Sequence, residues 1–345
     1  MKMKRLMAAM MAGTMAFSLT ACGGGSSAPA DTGADAGASA DAAADAGSEA
    51  KGYNISVILK TTSSEYWGYV VAGANAYMAD HPEIKVEVKG ATSETAYDEQ
   101  QNLIETDMNN GSIDGYVIAP LQADMVKTMI AGQTKPIVAV DTNIEAPEVI
   151  SFVGTGNEAA GEKGGKAAVE AAKAAGWTEI KAIEICGVQG DATNEARKAG
   201  YMKGINGAGG EFLEGETQYA DAVADKAVNC MEAIMQNHPE GIAIICANND
   251  DMAMAAARAA KGNKAYEKTI FLGFDGIQSA CNAILNGELT MSVAQQAYDM
   301  GYKSVETVVA ALNGESVEAF VDAGCAVVDS SNAQERLDTL KGYLA

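Results

Sequence analysis

Short apolar runs alternate with Ala-rich amphipathic stretches from residue 54 almost to the C-terminus, and this alternation constrains the fold more than any other feature. The runs are NISVIL, KVEVKG, GYVIAP, PIVAVD, ISFVGT, IKAIEIC, EFLEGETQ, IAIICAN, TIFLGFD and LTMSVAQ. Several are apolar at consecutive positions, as expected of strands buried on both faces. Residues 158–175 and 251–261 carry the helical pattern between them. Such alternation predicts an α/β fold with parallel, doubly wound sheets, helices on both faces and right-handed crossovers.

Residues 52–345 are more than one core of ordinary size needs and suit two. PIVAVD ends at Asp141 and IFLGFD at Asp275, and YMADHPEIKVEV (77–88) echoes IMQNHPEGIAII (234–245), which favours two similar lobes. In open parallel sheets a ligand binds beyond the carboxyl ends of the strands. The residues expected there are Lys60, Pro120, Asp141, Asn249, Asp275 and Gln295, and most are polar hydrogen-bonding groups.

The N-terminus reads as an export signal. Lys2, Lys4 and Arg5 precede an apolar stretch at 6–20 that is too short to span a membrane comfortably. It ends in LTAC at Cys22; small residues before a cysteine resemble the lipobox of bacterial lipoproteins, which implies a signal over 1–21 and lipid on Cys22. Residues 22–51 are Gly, Ala, Ser and Asp without apolar periodicity, a flexible acidic tether.

The formal charge of −22 argues against nucleic-acid binding, which needs a basic footprint. Cys186, Cys230, Cys246, Cys281 and Cys325 show no CxxC spacing, and their odd number excludes a complete disulfide framework. His81 and His238 are the only histidines, so no metal site and no cofactor are expected. No P-loop, G-x-S-x-G elbow or H-E-x-x-H occurs, and GTGNEAAG (154–161) misplaces the third glycine of a dinucleotide loop. No catalytic residue is assigned.

ILKTTSSEYW (58–67), IVAVD, GDATNEARKAGY, CANNDDMAMAA, LGFDG and SVAQ stand in an order and spacing that resemble the type I periplasmic sugar-binding proteins, nearest the ribose and allose type. The resemblance covers about residues 53–328. It implies two lobes joined by a multi-strand hinge: 53–155 plus 296–324, and 156–295 plus 325–328, with 329–345 a helical tail. It implies ligand contacts from Lys60, Tyr66, Trp67, Asp141, Arg197, Asn249, Asp275 and Gln295, with Ser64, Asn194 and Tyr219 as further candidates. Tyr66 and Trp67 match an aromatic pair that stacks on a pyranose, and Lys60 would reach ligand oxygens.

Two departures stand out. Thr142 follows the strand-end aspartate where the ribose-type pattern has arginine, and Ala222 occupies the place of a second aromatic wall, which Tyr219 could fill. At the start of NNDD, Asn248 or Asp250 would cap the helix and leave Asn249 to the cleft. Lys60 and Arg197 against Asp141 and Asp275 balance to zero, which favours a neutral monosaccharide, of hexose type, or a cyclic polyol. The implied protein is a monomeric, lipid-anchored solute receptor served by an ABC permease and ATPase. A non-sugar solute (nucleoside, amino-acid-like or signal molecule), or a sensor or chemoreceptor partner, stays open as the alternative.

Overall fold

A computed structural model describes residues 51–344. The expected signal segment, Cys22 and nearly all of the expected tether lie outside the described residues. The first part of the chain forms β1 (Asn54–Thr61), α1 (Glu65–Asp80), β2 (Lys85–Ala91), α2 (Tyr97–Met108), β3 (Gly115–Ile118), α3 (Ala123–Met129), β4 (Ile137–Val140) and β5 (Val149–Gly154). Next come α4 (Asn157–Ala174), β6 (Lys181–Cys186), α5 (Ala192–Gly207), β7 (Glu211–Phe212), β8 (Gln218–Tyr219), α6 (Ala224–Asn237), β9 (Ile244–Ala247), α7 (Asp250–Ala260), β10 (Ile270–Asp275), α8 (Gln278–Leu285) and β11 (Met291–Gln295). The chain ends with α9 (Ala297–Leu312), β12 (Phe320–Asp322), β13 (Cys325–Val328) and α10 (Ala333–Tyr343).

Two sheets result. The first has the order β12-β5-β4-β3-β1-β2 and is parallel throughout; the second runs β13-β11-β10-β9-β6-β7, with β8 also on β6. Only β13 breaks the parallel pattern, lying antiparallel to β11. Along β1, Ile55, Val57 and Leu59 pack with Val70 and Ala74 of α1, while Ile58 packs with Ile104 and Ile118 on the other face. In the second sheet Ile183 and Ile185 face Met231 of α6 and Met252 of α7, whereas Leu272 and Phe274 face Val169 of α4 and Tyr201 of α5. Helices on both faces explain why the strands are apolar at consecutive positions.

Both lobes use close helix pairs. α1 packs on α9 and α4 on α5, each through glycines that let the backbones touch. A Cβ on Gly301 would lie 2.0 Å from the Val70 carbonyl oxygen, and one on Gly204 would lie 2.2 Å from that of Glu162.

Two readings of the sequence need correction. EFLEGETQ is not one strand: it breaks into β7, a 3-10 turn over Glu214–Glu216 and β8, because three glutamates in six residues keep it at the surface. β12 has no counterpart among the apolar runs, being three partly exposed residues at a sheet edge. The two HPE segments, whose places the sequence left open, differ in position: His81 leads to the edge strand β2 and His238 to the interior strand β9. The strand-end aspartates are equivalent: β4 and β10 are each third from the same end of their sheets. All five cysteines of the described residues are free, and Cys186, Cys246 and Cys281 are buried.

Candidate functional site

Carboxyl ends of strands from both sheets face one cavity of about 260 Å³. A larger hollow of about 570 Å³ lies at the opposite, amino ends of β10 and β11, beside Thr269, Phe271 and Thr290. The smaller cavity is lined from the first lobe by Lys60, Ser64, Tyr66, Trp67, Glu94 and Asp141, and from the second by Asn194, Arg197, Ala222, Asn249, Asp251 and Asp275.

The first lobe builds its wall at the ends of β1 and β4. Ser64 caps α1, accepting from the Trp67 amide at 3.4 Å, and so fixes the two aromatics on the first turn. The two rings meet edge to face with centroids 5.2 Å apart. The Tyr66 hydroxyl donates to Asp141 Oδ1 at 2.6 Å, and burial, reinforced by Asp141, pushes its pKa well up. Trp67 Nε1 donates to Glu94 Oε1 at 3.1 Å. Asp141 also accepts from Thr142 Oγ1 at 2.9 Å and holds φ at 63°, outside the region favoured by side-chain-bearing residues.

The second lobe places Arg197 on α5, over the Phe274 ring at 3.8 Å. Its Nε donates to Asn157 Oδ1 at 2.9 Å and its Nη1 to the Asn248 carbonyl at 2.8 Å, with Asp275 Oδ1 3.8 Å away. Asp275, at φ 118°, accepts from Gln295 Nε2 at 2.8 Å. Burial drives the Asp275 pKa well above the usual carboxylate range; Arg197 opposes this and Asp250 adds to it. The result is a cleft of oriented donors and acceptors beside an aromatic pair, the equipment for hydroxyl groups and a C–H face.

Contacts also cross the cleft. Lys60 Nζ reaches Asp191 Oδ2 at 2.6 Å, with both side chains buried. Burial alone would lower the Lys60 pKa, but Asp191, Glu94 and Asp141 hold it raised; Lys60 in turn overcomes burial to lower that of Asp191. Thr142 and Thr193 hydroxyls stand 2.7 Å apart, and Glu65 accepts from the Gln278 amide at 2.6 Å and the Ser279 hydroxyl at 2.7 Å.

Several expected roles change. Lys60 lines the cavity but spends its charge on Asp191, which also caps α5 through the Asn194 amide. Gln295 is buried behind Asp275 and does not line the cavity; it positions the carboxylate. Tyr219 also stands outside, its hydroxyl accepting from Lys198 Nζ at 3.3 Å, so Ala222 leaves the second aromatic wall unfilled. Asn249, not its neighbours, caps α7, accepting from the Met252 amide at 2.9 Å, which leaves its Nδ2 as its donor to the cleft. The expected charge balance fails because Glu94, Asp221 and Asp251 join the lining.

Glu94 and Asp251 line the cavity, and Asp191 and Arg336 make contacts near it, none of which the motifs indicated. Arg336 of α10 donates to the Gly276 carbonyl at 3.1 Å, to Gln296 Oε1 at 2.8 Å and to the Gln295 carbonyl at 2.6 Å, bracing a connection between the sheets. Asp191 stands just before the stretch ATNEARKAG, a place that favours an N-cap residue, but nothing local announces that its second oxygen meets Lys60.

The family described as "Periplasmic binding protein domain" matches residues 55–316. The chain is 30% identical over 264 residues to the D-allose-binding periplasmic protein of Escherichia coli K12, covering 74% of this chain and 83% of that one. It is 30% identical to the ribose import binding protein of the same organism, over 59% of this chain and 67% of that one. An ABC transporter solute binding protein from Agrobacterium vitis, solved with bound D-fucose, is similar at 27% identity and a TM-score of 0.73, covering 84% of this chain and 98% of that one.

Proposed function

Since the chain belongs to the periplasmic binding protein family, and within it to the type I sugar-binding proteins, which are binding proteins rather than enzymes, we propose that it is a lipid-anchored receptor delivering a monosaccharide or cyclic polyol to an ABC importer. The observation that carries the ligand class is the placement of Asp141, Arg197, Asn249 and Asp275 around one cavity with the Tyr66–Trp67 pair in its wall. A volume of about 260 Å³ suits a single ring of hexose size rather than a larger ligand. The names of the relatives, for D-allose and ribose, support a sugar.

In this reading the lobes comprise 53–155 plus 296–324 and 156–295 plus 325–328, and they close by hinge motion on the ligand. The closed monomer then docks on permease and ATPase partners. Cys22 carries the lipid and holds the receptor at the outer face of the cell membrane. Cys22→Ala should release the protein or leave its signal uncleaved, with ligand affinity unchanged; normal processing and membrane attachment would reject the anchor.

The ligand class is tested by thermal shift, because a ligand of the native state raises the melting temperature. Aldoses, ketoses and inositols should include at least one that stabilises the protein. Stabilisation only by nucleosides or amino acids would overturn the sugar reading and favour the non-sugar alternative; sensing in place of import would appear as a chemoreceptor partner instead of a permease.

A further inference from the structure

By formal charge, acidic groups outnumber basic ones in the lining of the cavity. Glu94, Asp141, Asp221, Asp251 and Asp275 line it, against Lys60 and Arg197. Neither cation is free: Lys60 is held by Asp191 at 2.6 Å and Arg197 faces Asp275 at 3.8 Å. Asp221 is paired with Lys226. Glu94, Asp141 and Asp251 therefore remain, and none of them makes an ion pair among the described residues.

Their surroundings differ. Asp141 has a hydroxyl donor on each oxygen, from Tyr66 and Thr142. Asp251 lies in the first turn of α7, where the positive end of the helix offsets part of its charge. Glu94 has the least compensation. Trp67 Nε1 donates to its Oε1, and its Oε2 receives no hydrogen bond among the described residues. Burial pushes the Glu94 pKa up, with Lys60 opposing.

Neutral donors orient a carboxylate without cancelling its charge, and an uncompensated charge in a closing cleft is costly. A ligand bearing only hydroxyls would occupy the lone pairs and leave the charge. A ligand bearing an ammonium supplies a cation and a charge-assisted hydrogen bond at once.

We propose, resting on the sugar-receptor reading above, that the ligand is an amino sugar or an aminated cyclic polyol, and that Glu94 selects its ammonium against the corresponding neutral hydroxyl. The loaded site then carries less uncompensated negative charge than the empty one, which couples recognition to closure: the lobes gain by closing around the cation and gain less around its neutral analogue.

The test uses matched pairs in calorimetry at pH 7: D-glucosamine and D-glucose, D-galactosamine and D-galactose, D-mannosamine and D-mannose. The N-acetyl derivatives serve as uncharged controls and putrescine as an amine that is not a sugar. At least one amine should bind about tenfold or more tighter than both its parent and its N-acetyl form. Glu94→Gln keeps an oxygen for the Trp67 indole and for a ligand hydroxyl but loses the charge. In this variant the preference for amine over parent should fall about tenfold or more, with the ligand-free melting temperature reporting on folding. A neutral parent that binds tighter than every amine, or a Glu94→Gln variant that weakens both members of a pair equally, would overturn the inference and leave the sugar reading standing. No binding by any sugar, or binding by putrescine alone, would overturn both.

Discussion

Asp141 and Asp275 hold φ at 63° and 118°, conformations that cost about 1–3 kcal/mol each and persist only where the surroundings impose them. Their equivalent places in the two sheets give the cleft one carboxylate from each lobe, aimed by the bend that ends the strand. A third acid, Glu184, lies deeper. It is fully buried, with Asn248 Nδ2 donating to Oε1 at 2.6 Å and Oε2 without a partner. Burial, opposed by that hydrogen bond, pushes its pKa from 4.5 to about 8. The folded state therefore keeps a proton that the unfolded chain releases near pH 4.5. Stability from this group is full below that pH and falls as the pH rises toward about 8. Glu184→Gln removes this titration and should gain on the wild type by a few kcal/mol, in order of magnitude, between pH 5 and pH 8. Urea unfolding at the two pH values measures it; an equal stability difference at both would contradict the assignment.

At the scale of elements, strands and helices follow from apolar runs and Ala-rich stretches, because burial on two faces leaves a dense apolar signature. Polar residues at strand ends were legible for the same reason: Asp141, Asn249 and Asp275 interrupt or follow apolar runs at places the fold class makes functional. Glu94 and Asp251 were not legible, since a loop glutamate and a first-turn aspartate are what any surface offers, and only tertiary packing brings them to the cleft. Gln295 and Tyr219 mark the opposite limit, as strand ends whose side chains point elsewhere. The close helix pairs rest on small residues. Gly204→Ala would set a Cβ 2.2 Å from the Glu162 carbonyl oxygen, forcing α4 and α5 apart. We expect a loss of about 1–3 kcal/mol, seen as a lower melting temperature. An unchanged melting temperature would show that the α4–α5 contact yields without cost.

For the whole molecule, the proposed function depends on what holds the lobes together. Lys60–Asp191, Thr142–Thr193 and Glu65 at the start of α8 all bridge the cleft. Lys60→Ala leaves Asp191 buried without its cation, a penalty that opening to water relieves. The ligand-free variant should therefore show a larger radius of gyration by small-angle X-ray scattering than the wild type. Asp191→Ala in the same background should reverse part of that change, and identical radii in all three proteins would remove Lys60–Asp191 as a closing contact. Such bridges also set how much binding energy the ligand must supply, since a site competent only in the closed state binds in proportion to that state's population.

The interlobe cavity is the proposed binding site, with Arg197 and Asp275 holding the ligand. It is tested most directly by titration calorimetry of Arg197→Ala and Asp275→Ala with the sugar or polyol that stabilises the wild type. Each variant removes one member of a buried, charged contact set and should lose about 2–5 kcal/mol of binding free energy while keeping its folded circular-dichroism spectrum. Wild-type affinity in both folded variants would contradict the account and place the ligand elsewhere on the molecule.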